Sequence, residues 1–495
     1  MATTATVTQP LARSRAADGG AQAVVLTLLY SLPALWSLRS FSTVLDNDVW
    51  WHLAAGKWIL QHSAVPRTDP FSAYGADKWW AAYSWGFELP AAWLFTHFGL
   101  IGLLFLHGLL VTTVIVAVHR LIVAIVPDFT LSVLLTLAAA VAMNGLFTPR
   151  PWLLTILFFV VELHLVLQVR ESGNYRRLLW LPLIFCAWAN VHAQFVYGLF
   201  LLFLAAAEAW WLIWKSSADP VKRKARAWWT LTALSCLAAT LVNPYFAGIY
   251  KVAYQLGTQP RVLNLISELG PVLFRSFSDY LLLVIGLLAV ATLAWRRDTQ
   301  PFPWVLLLWA TLCSFRSRRD IWMLAVVGAA TIAAGLREHA TVKFQHSKLQ
   351  SCFITIGVVL VTVASCWIAG VSSVRLETES ASKFPAAAVD FIKQKRLPGP
   401  LFNDYNWGGY LIWSLPELPV SMDGRAALHG TPRIERSVDT WDAKHDWNSD
   451  LELQNAQLII GSLDAPLCAV LRGDARYELA YEDKIASVFV RRSPR

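Results

Sequence analysis

Charged residues are scarce in this sequence, and their scarcity indicates its class. Only 15% of its 495 residues are Asp, Glu, Lys or Arg, whereas soluble domains carry about 25%. Hydrophobic residues make up 56% and the mean hydropathy is +0.47, which excludes an ordinary soluble domain. The 25 tryptophans agree with this, because tryptophan concentrates at membrane–water interfaces. The composition therefore predicts a polytopic α-helical membrane protein.

Several common motifs are also missing. None of the six cysteines forms a CxxC pair and five lie in apolar segments, so we expect neither a zinc site nor a disulfide framework. The sequence has no GxxxxGK[ST] phosphate loop and no internal repeat of a solenoid. The net charge of +9 does not indicate nucleic-acid binding, because the cytoplasmic loops of membrane proteins are basic. We therefore expect no nucleic-acid partner.

Eleven apolar segments approach the roughly 20 residues that a spanning helix needs. They are residues 22–40, 99–119, 129–147, 152–169, 178–191, 194–214, 228–243, 279–295, 302–315, 320–336 and 352–372. If the N-terminus is cytoplasmic, most clustered Lys and Arg residues fall in cytoplasmic connections, as the positive-inside rule requires. These connections are residues 120–128, 170–177, 215–227, 296–301 and 337–351. Eleven spans of the inner, cytoplasmic membrane then place the C-terminus outside.

This topology divides the chain into three parts. Residues 1–21 predict a disordered cytoplasmic tail, and residues 22–375 a transmembrane module with outer loops 41–98 and 244–278. Residues 380–495 differ sharply in composition and predict a small α/β domain on the outer face. Its helical and strand-like stretches are residues 385–395, 456–462 and 485–492.

The stretch "LDNDVWWHLAAGKW" follows the first apolar segment and places Asp46, Asp48 and His52 at a membrane boundary. Acids there are costly unless they are paired or functional. A carboxylate can accept a proton from a hydroxyl group, and the two acids with His52 could also hold Mg or Mn. Alternatively, Asp46 caps a helix and Asp48 interacts favourably with its dipole.

Other polar and aromatic residues fall on the same predicted outer side. They are Asp69, Trp79, Trp80, Tyr83, Glu88, Arg150, His192 and Asn243. Each could also be an interfacial anchor or a turn residue, but polar groups that converge at one membrane depth favour a site. Glu162 and His164 lie inside a span, where we expect hydrogen bonds between helices.

The stretch "FRSRRD", residues 315–320, breaks the positive-inside rule, because it carries Arg316, Arg318 and Arg319 in a predicted outer connection. An incorrect span count would explain this exception. An anion site would also explain it, since arginine gives bidentate recognition of phosphate.

Taken in order, these motifs resemble those of the bacterial GT-C-type membrane glycosyltransferases, including mannosyltransferase-like proteins. The motifs are "DNDVWWHLAAGKWI", "VPRTDPFS", "WWAAYSWGFEL", "RPWLL", "WANVHAQFVYG", "VNPYFAGIY", "FNDYNWGGYLIW" and "SMDGR". The resemblance covers residues 22–490 and implies a helical bundle with acids in its first outer loop, followed by a small outer domain. It further implies a polyprenyl-phosphate-linked sugar as donor.

The resemblance assigns roles to particular residues. It implies Asp46 and Asp48 as the catalytic acids, with His52 beside them. It implies Arg150, Arg316, Arg318 and Arg319 as ligands of the donor phosphate. Supporting residues are Asp69, Glu88 and His192, and the candidates for sugar or acceptor contact are Trp79, Trp80, Tyr83, Asn243, Tyr405, Trp407, Asp423 and Arg425. The stretch "DYNWGGYLIW" is similar to a peptide-reading motif of oligosaccharyltransferases, but Asn406 and the pair Gly408 and Gly409 depart from it.

The resulting hypothesis is an inverting transferase that moves a sugar from polyprenyl phosphate to a lipid, glycan or protein acceptor on the outer face. The hypothesis assigns no cofactor, and Mg or Mn at the two acids and His52 remains open. A transporter or flippase is the first alternative, but it predicts an inverted repeat and a midplane site. A membrane scaffold is the second, and it would leave the acids of loop 41–98 dispensable.

Overall fold

The chain is mainly helical where the structure describes it. The computed structural model describes residues 10–37, 45–214, 220–258, 268–340 and 347–492. Parts of the N-terminal tail, of the first predicted span, of both outer loops and of the connections 215–227 and 337–351 lie outside these ranges. So do the last three residues of the C-terminal domain.

The helices of the membrane-facing part and first loop are α1 (Pro10–Ser37), α2 (Val49–His62), α3 (Trp85–Ile125), α4 (Phe129–Ala142), α5 (Trp152–Ser172), α6 (Leu181–Val191), α7 (Phe195–Trp214), α8 (Pro220–Ala239), α9 (Gly248–Gly257), α10 (Phe277–Trp295), α11 (Pro301–Arg316), α12 (Ile321–Leu336) and α13 (Lys348–Ile368). Short 3₁₀ turns connect several of them, including Arg318–Asp320 directly before α12. The C-terminal helices are α14 (Ser373–Lys383), α15 (Ala386–Lys395), α16 (Gly408–Ser414), α17 (Ala426–His429), α18 (Thr431–Trp441), α19 (Leu451–Asn455) and α20 (Pro466–Leu471).

Five helical stretches are long and apolar enough to cross a membrane. They are Trp85–Ile125, Trp152–Ser172, Phe277–Trp295, Arg318–His339 and Lys348–Ile368. Every one of the eleven predicted segments overlaps a helix. The described apolar parts of the other six are shorter or, in α8, carry several Lys and Arg residues. The protein is therefore a helical membrane protein, but eleven spans exceed what the described residues support.

The described part of the N-terminal segment is helical. Helix α1 begins at Pro10, inside the segment expected to be disordered. Alanine-rich sequence favours helix, and proline is well tolerated in the first turn, so local propensity explains the extension.

The first outer loop is largely helical. Helix α2 covers Val49–His62 and confirms the expected helix after the two aspartates. Helix α3 starts inside the loop at Trp85 and bends at Gly99, whose φ of 58° glycine adopts without strain. Residues 85–98 thus form a separate arm that packs beside α2, and the membrane-spanning part follows Gly99.

The C-terminal part contains a four-stranded sheet in the order β1-β2-β4-β3. The strands are β1 (Leu401–Asn403), β2 (Leu458–Ser462), β3 (Tyr477–Glu482) and β4 (Ala486–Arg491). Strand β1 pairs with β2 in parallel, Leu401 opposite Leu458, and the other pairs are antiparallel. Strands β2 and β4 and helix α15 confirm the three elements predicted for this region.

One hydrophobic core joins the first loop to this domain. Trp50 of α2 contacts Phe384 and Tyr410 edge-to-face, with ring centroids 5.5 and 5.1 Å apart. Backbone hydrogen bonds join the same two regions: Val420 N donates to Phe71 O at 3.2 Å, and Ala73 N donates to Val420 O at 3.1 Å. The start of α2 is therefore held between the helical bundle and the C-terminal domain.

Candidate functional site

A cavity of about 340 Å³ opens at the N-terminal end of α2. The sequence-predicted site residues that line it are Asp46, Asp48, His52, Trp79, Trp80, Tyr83, Arg150, His192, Arg319, Tyr405 and Arg425. They come from the first loop, from three connections within the bundle and from the C-terminal domain. The cavity is thus a convergence of charged and aromatic groups from distant parts of the sequence.

The two aspartates occupy different positions at the start of α2. Asp46 Oδ1 accepts a hydrogen bond from Asp48 N at 2.8 Å, which forms the turn into the helix. Asp48 directly precedes the helix, but its carboxylate makes no capping bond. Its side chain instead extends to Arg150, with Oδ2 2.9 Å from the Arg150 guanidinium. Asp46 therefore has a structural role as well, whereas the carboxylate of Asp48 faces the cavity.

Arg150 is the centre of the charged cluster. It lies in the turn before α5, where Nε donates to Asp46 Oδ1 at 2.7 Å and Nη1 donates to Glu268 Oε1 at 3.0 Å. Burial alone would lower the pKa of Arg150, but Asp46, Asp48 and Glu268 together hold it well above its usual range. Arg150 is a permanent cation that binds three carboxylates.

Arg319 supplies a second cation to the same cavity. It donates a hydrogen bond to Glu268 Oε1, the oxygen that also accepts from Arg150. The guanidinium groups of both arginines lie over the ring of Trp152, at 4.7 Å for Arg150 and 5.3 Å for Arg319. Arg319 and Asp48 are therefore on the same side of the protein, as the anion-site hypothesis required.

Burial and charge give the carboxyl groups different proton affinities. Burial, assisted by Asp46 and Glu268, raises the pKa of Asp48 to about 7, although Arg150 opposes the rise. Burial would raise the pKa of Glu268 as well, but Arg150 and Arg319 together lower it to about 2. Asp48 can thus exchange a proton near neutral pH, whereas Glu268 remains a permanent anion.

The expected metal ligands do not form a metal site. Arg150 lies against both aspartates, and His52 Nδ1 lies 2.9 Å from Glu88 Oε1 instead. No group of three or more His, Cys, Asp or Glu side chains among the described residues is placed to hold a metal ion. The donor set of Asp46, Asp48 and His52 therefore does not fit Mg or Mn.

The two cavity histidines are neutral. Burial, followed by Arg150 and His192, lowers the pKa of His52 well below its usual range. Burial and Arg319 lower the pKa of His192 to about 3. Glu88 does not line the cavity and lies behind its wall as the partner of His52.

A second buried cluster joins the first loop to the C-terminal domain. Arg425 forms ion pairs with Asp69 and with Asp423, the latter at 2.7 Å, and His429 Nε2 lies 3.1 Å from Asp423. Arg425 and His429 lower the pKa of Asp423 well below its usual range, against the opposing effect of burial. Of these three residues only Arg425 lines the cavity. Asp69 and Asp423 therefore influence the cavity by holding Arg425 in place and do not contact it themselves.

Several sequence-predicted residues lie elsewhere. Arg316 is exposed and donates to Gly257 O at 2.7 Å, and Arg318 is exposed without lining the cavity. Trp407 is buried in the hydrophobic core beneath the cavity. Asn243 stabilises a turn, donating to Thr240 O at 2.7 Å and accepting from Tyr245 N at 2.7 Å. Local roles explain Arg316, Trp407 and Asn243, because their polar atoms or rings are already used in loop contacts, in the core and in a turn.

Other cavity residues could not be identified from the sequence. Among them are Glu268, Lys383, Trp152 and Gly424. Glu268 stands in "LISELG" with no charged neighbour that would mark it. An ideal Cβ on Gly424 would overlap Asp48 Oδ1 and lie 3.0 Å from Asp48 Cγ, so glycine is needed for the close approach. A single glutamate and a single glycine are too common in sequences to indicate a site.

Comparison of the sequence with known protein families and with curated proteins finds no match. The fold and the cavity define a coarser class. This is a helical membrane protein whose first loop, bundle and C-terminal domain jointly form a charged, aromatic cavity.

Proposed function

We propose that this protein is a membrane glycosyltransferase that moves a sugar from a polyprenyl-phosphate donor to a hydroxyl-bearing lipid, glycan or protein acceptor. The observation that carries the proposal is the arrangement of Asp48 beside Arg150 and Arg319. A carboxyl group with a pKa of about 7 is suited to general-base catalysis near neutral pH. Two guanidinium groups next to it are suited to a phosphate leaving group.

The reaction follows from these positions. Asp48 removes the proton from the acceptor hydroxyl while that oxygen attacks the anomeric carbon of the donor sugar. The bond between the anomeric carbon and the phosphate oxygen breaks, and its electron pair remains on the lipid phosphate. Arg150 and Arg319 stabilise the charge that develops there. A single displacement of this kind inverts the configuration at the anomeric carbon.

The aromatic wall favours a sugar as the transferred group. Trp79, Trp80, Tyr83 and Tyr405 line the cavity, and aromatic rings pack well against the apolar faces of sugar rings. His192 adds a neutral polar group to the wall. The adjoining apolar helices would receive the lipid chain of the donor.

The membrane orientation proposed with this function is the one inferred from charge. The N-terminus would be cytoplasmic, and the cavity and the C-terminal domain would lie on the outer side of the inner membrane. Arg150 and Arg319, at the cavity, precede α5 and α12, whereas the basic stretches 170–177 and 337–351 follow those helices. This separation of cavity and basic ends supports an outer-face site.

The deciding experiment is a transfer assay on the full-length protein in detergent or vesicles with Asp48→Asn. We expect loss of transfer from a fluorescent polyprenyl-phosphate sugar. Asp77→Asn is the matched control, because Asp77 is exposed on the same loop. Full transfer by Asp48→Asn would overturn the proposal for that residue. Movement of the lipid-linked sugar across vesicles without transfer would favour the transporter alternative, and absence of both would favour a scaffold.

A further inference from the structure

The two arginines suited to the donor phosphate already bind a carboxylate of the protein. Glu268 Oε1 lies 3.0 Å from Arg150 Nη1 and also accepts from Arg319 Nη2. One oxygen therefore bridges two cations that lie over the same ring of Trp152. Without an anion between them, the two guanidinium groups would repel each other at close range.

Every cation that lines the cavity within the described residues has a protein partner. Arg425 pairs with Asp69 and Asp423, and Lys383 Nζ donates to the backbone oxygen of Leu45. A phosphate that binds these guanidinium groups therefore competes with a carboxylate for their donors, apart from the buried Arg319 Nε, which has no partner among the described residues. The question is which carboxylate leaves.

Exposure and local bonding single out Glu268. Its side chain is 31% exposed, compared with 16% for Asp46 and 19% for Asp48. Asp46 also accepts the backbone N–H of Asp48, and departure of that carboxylate would disturb the start of α2. Among the described residues Glu268 Oε1 accepts no backbone bond, and of the three carboxylates only that of Glu268 is hydrogen-bonded to Arg319 there.

The backbone around Glu268 allows its side chain to rotate while the chain stays in place. Arg319 N donates to Glu268 O at 3.0 Å, and Arg318 N donates to Gly270 O at 2.9 Å. These bonds hold the segment after Glu268 along the 3₁₀ turn that precedes α12. The carboxylate can thus leave the arginines by side-chain rotation alone.

Charge is conserved in the exchange. A polyprenyl-phosphate sugar is a phosphodiester with one negative charge, which equals the charge of the Glu268 carboxylate. Its oxygens accept the same guanidinium hydrogen bonds, and a phosphate can receive both arginines on separate oxygens. The arginines therefore lose no neutralising charge when the donor replaces Glu268.

We propose that Glu268 is the exchangeable counter-ion of the donor-phosphate subsite formed by Arg150 and Arg319, and that it leaves the two arginines when a lipid phosphate binds. This inference rests on the proposed function. It defines the phosphate subsite and predicts that the protein's own carboxylate lowers the affinity of that subsite in the free protein.

The test is a binding measurement on the purified full-length protein with farnesyl phosphate and, separately, inorganic phosphate. Glu268→Gln keeps the side-chain shape and removes the competing charge, so we expect both probes to bind roughly tenfold more tightly. Glu478→Gln, an exposed change on β3, is the matched control and should bind like the unaltered protein. Arg319→Gln should bind both probes weakly. A thermal melt of each variant checks that it is folded, and Glu268→Ala provides a second neutral variant.

The outcomes are distinguishable. Tighter binding of both probes supports an exchange at the phosphate group itself, and tighter binding of farnesyl phosphate alone supports an exchange that also requires the lipid chain. Unchanged or weaker binding in both Glu268 variants overturns the exchange. If Arg319→Gln then still loses binding, the phosphate subsite and the proposed function stand without it. If neither probe binds to any variant, the exchange and the proposed function both fail.

Discussion

A substitution at Gly424 of the C-terminal domain tests directly whether that domain shapes the proposed catalytic site. A methyl group added at this position would overlap Asp48 Oδ1 and lie 3.0 Å from Asp48 Cγ. Ordinary contact between carbon atoms requires about 3.5–4.0 Å. The Asp48 carboxylate must therefore move by roughly 1 Å in the variant Gly424→Ala, or the domain must shift by a similar distance.

This displacement has a calculable consequence. The bond from Arg150 to Asp48 is 2.9 Å, and a further 1 Å would take it beyond hydrogen-bond range. Misplacement of a catalytic group by about 1 Å costs roughly a hundredfold in rate, which corresponds to about 2.7 kcal/mol. We expect this loss in kcat, while the KM for the donor changes little because Arg150 and Arg319 remain in place.

The pH profile distinguishes this effect from general damage. Arg150 lowers the pKa of Asp48, so weakening their contact moves the inflection of the rate above the value of about 7 expected for the unaltered protein. The assay is transfer from a polyprenyl-phosphate sugar at a series of pH values. Gly473→Ala is the control, because an added methyl group there meets only Val470 O at 3.7 Å. Unchanged kcat and an unchanged inflection in Gly424→Ala would refute the reasoning.

Three further predictions follow from other groups. First, kcat/KM of the unaltered protein should fall as pH drops below about 7, because the raised pKa leaves Asp48 protonated and unable to accept a proton there; a rate independent of pH between 5 and 9 would contradict this. Second, Arg425→Met should lower the free energy of unfolding by about 3–5 kcal/mol, because Asp69 and Asp423 would remain buried without their cation; denaturation of the purified protein measures it, and a loss below about 1 kcal/mol would be too small. Third, Glu162→Met should raise the thermal midpoint in detergent, because neither carboxyl oxygen of Glu162 has a hydrogen-bond partner among the described residues; a lower midpoint would indicate that the acid stabilises the bundle.

Charge and hydropathy grouped three residues that meet at the cavity. The predicted topology put Asp48, Arg150 and Arg319 on one side of the membrane, and the structure brings these three residues to one cavity. Such a prediction works because the two ends of each spanning helix are fixed to opposite sides. The prediction gives the end of the helical bundle at which a residue lies, but it does not identify the residues that contact it there.

The contacts within the cavity were beyond the sequence. Arg150 was predicted to be a ligand of the donor phosphate, but in the structure it binds Asp46, Asp48 and Glu268. Nothing in local sequence records that two separate segments supply the three carboxylates around one guanidinium. The hydrogen bond expected for Glu162 fails for a similar reason, because helical periodicity does not say whether a neighbouring helix offers a donor at the same depth.

The span count failed for a different physical reason. Apolar composition predicts burial away from water, but a buried helix within a protein and a helix in lipid have the same composition. Helix α6 has only 11 residues and α4 has 14, which is too short for a bilayer core of about 30 Å when the rise is 1.5 Å per residue. Hydropathy alone does not show where such a short helix ends, because turns such as "TPRPW" also contain apolar residues.

Two glycines determine how closely the C-terminal domain packs against the start of α2, where the cavity lies. Gly424 and Gly409 let the C-terminal domain approach Asp48 and the backbone of Asn47, and a side chain at either position would separate the domain from α2. The ion pairs of Arg425 hold the same domain against the first loop. If the cavity acts on a lipid-linked substrate, its catalytic acid therefore depends on a soluble domain more than 370 residues later in the chain. Separating the two parts should abolish activity even when each part retains its own fold, because neither part alone fixes the position of Asp48.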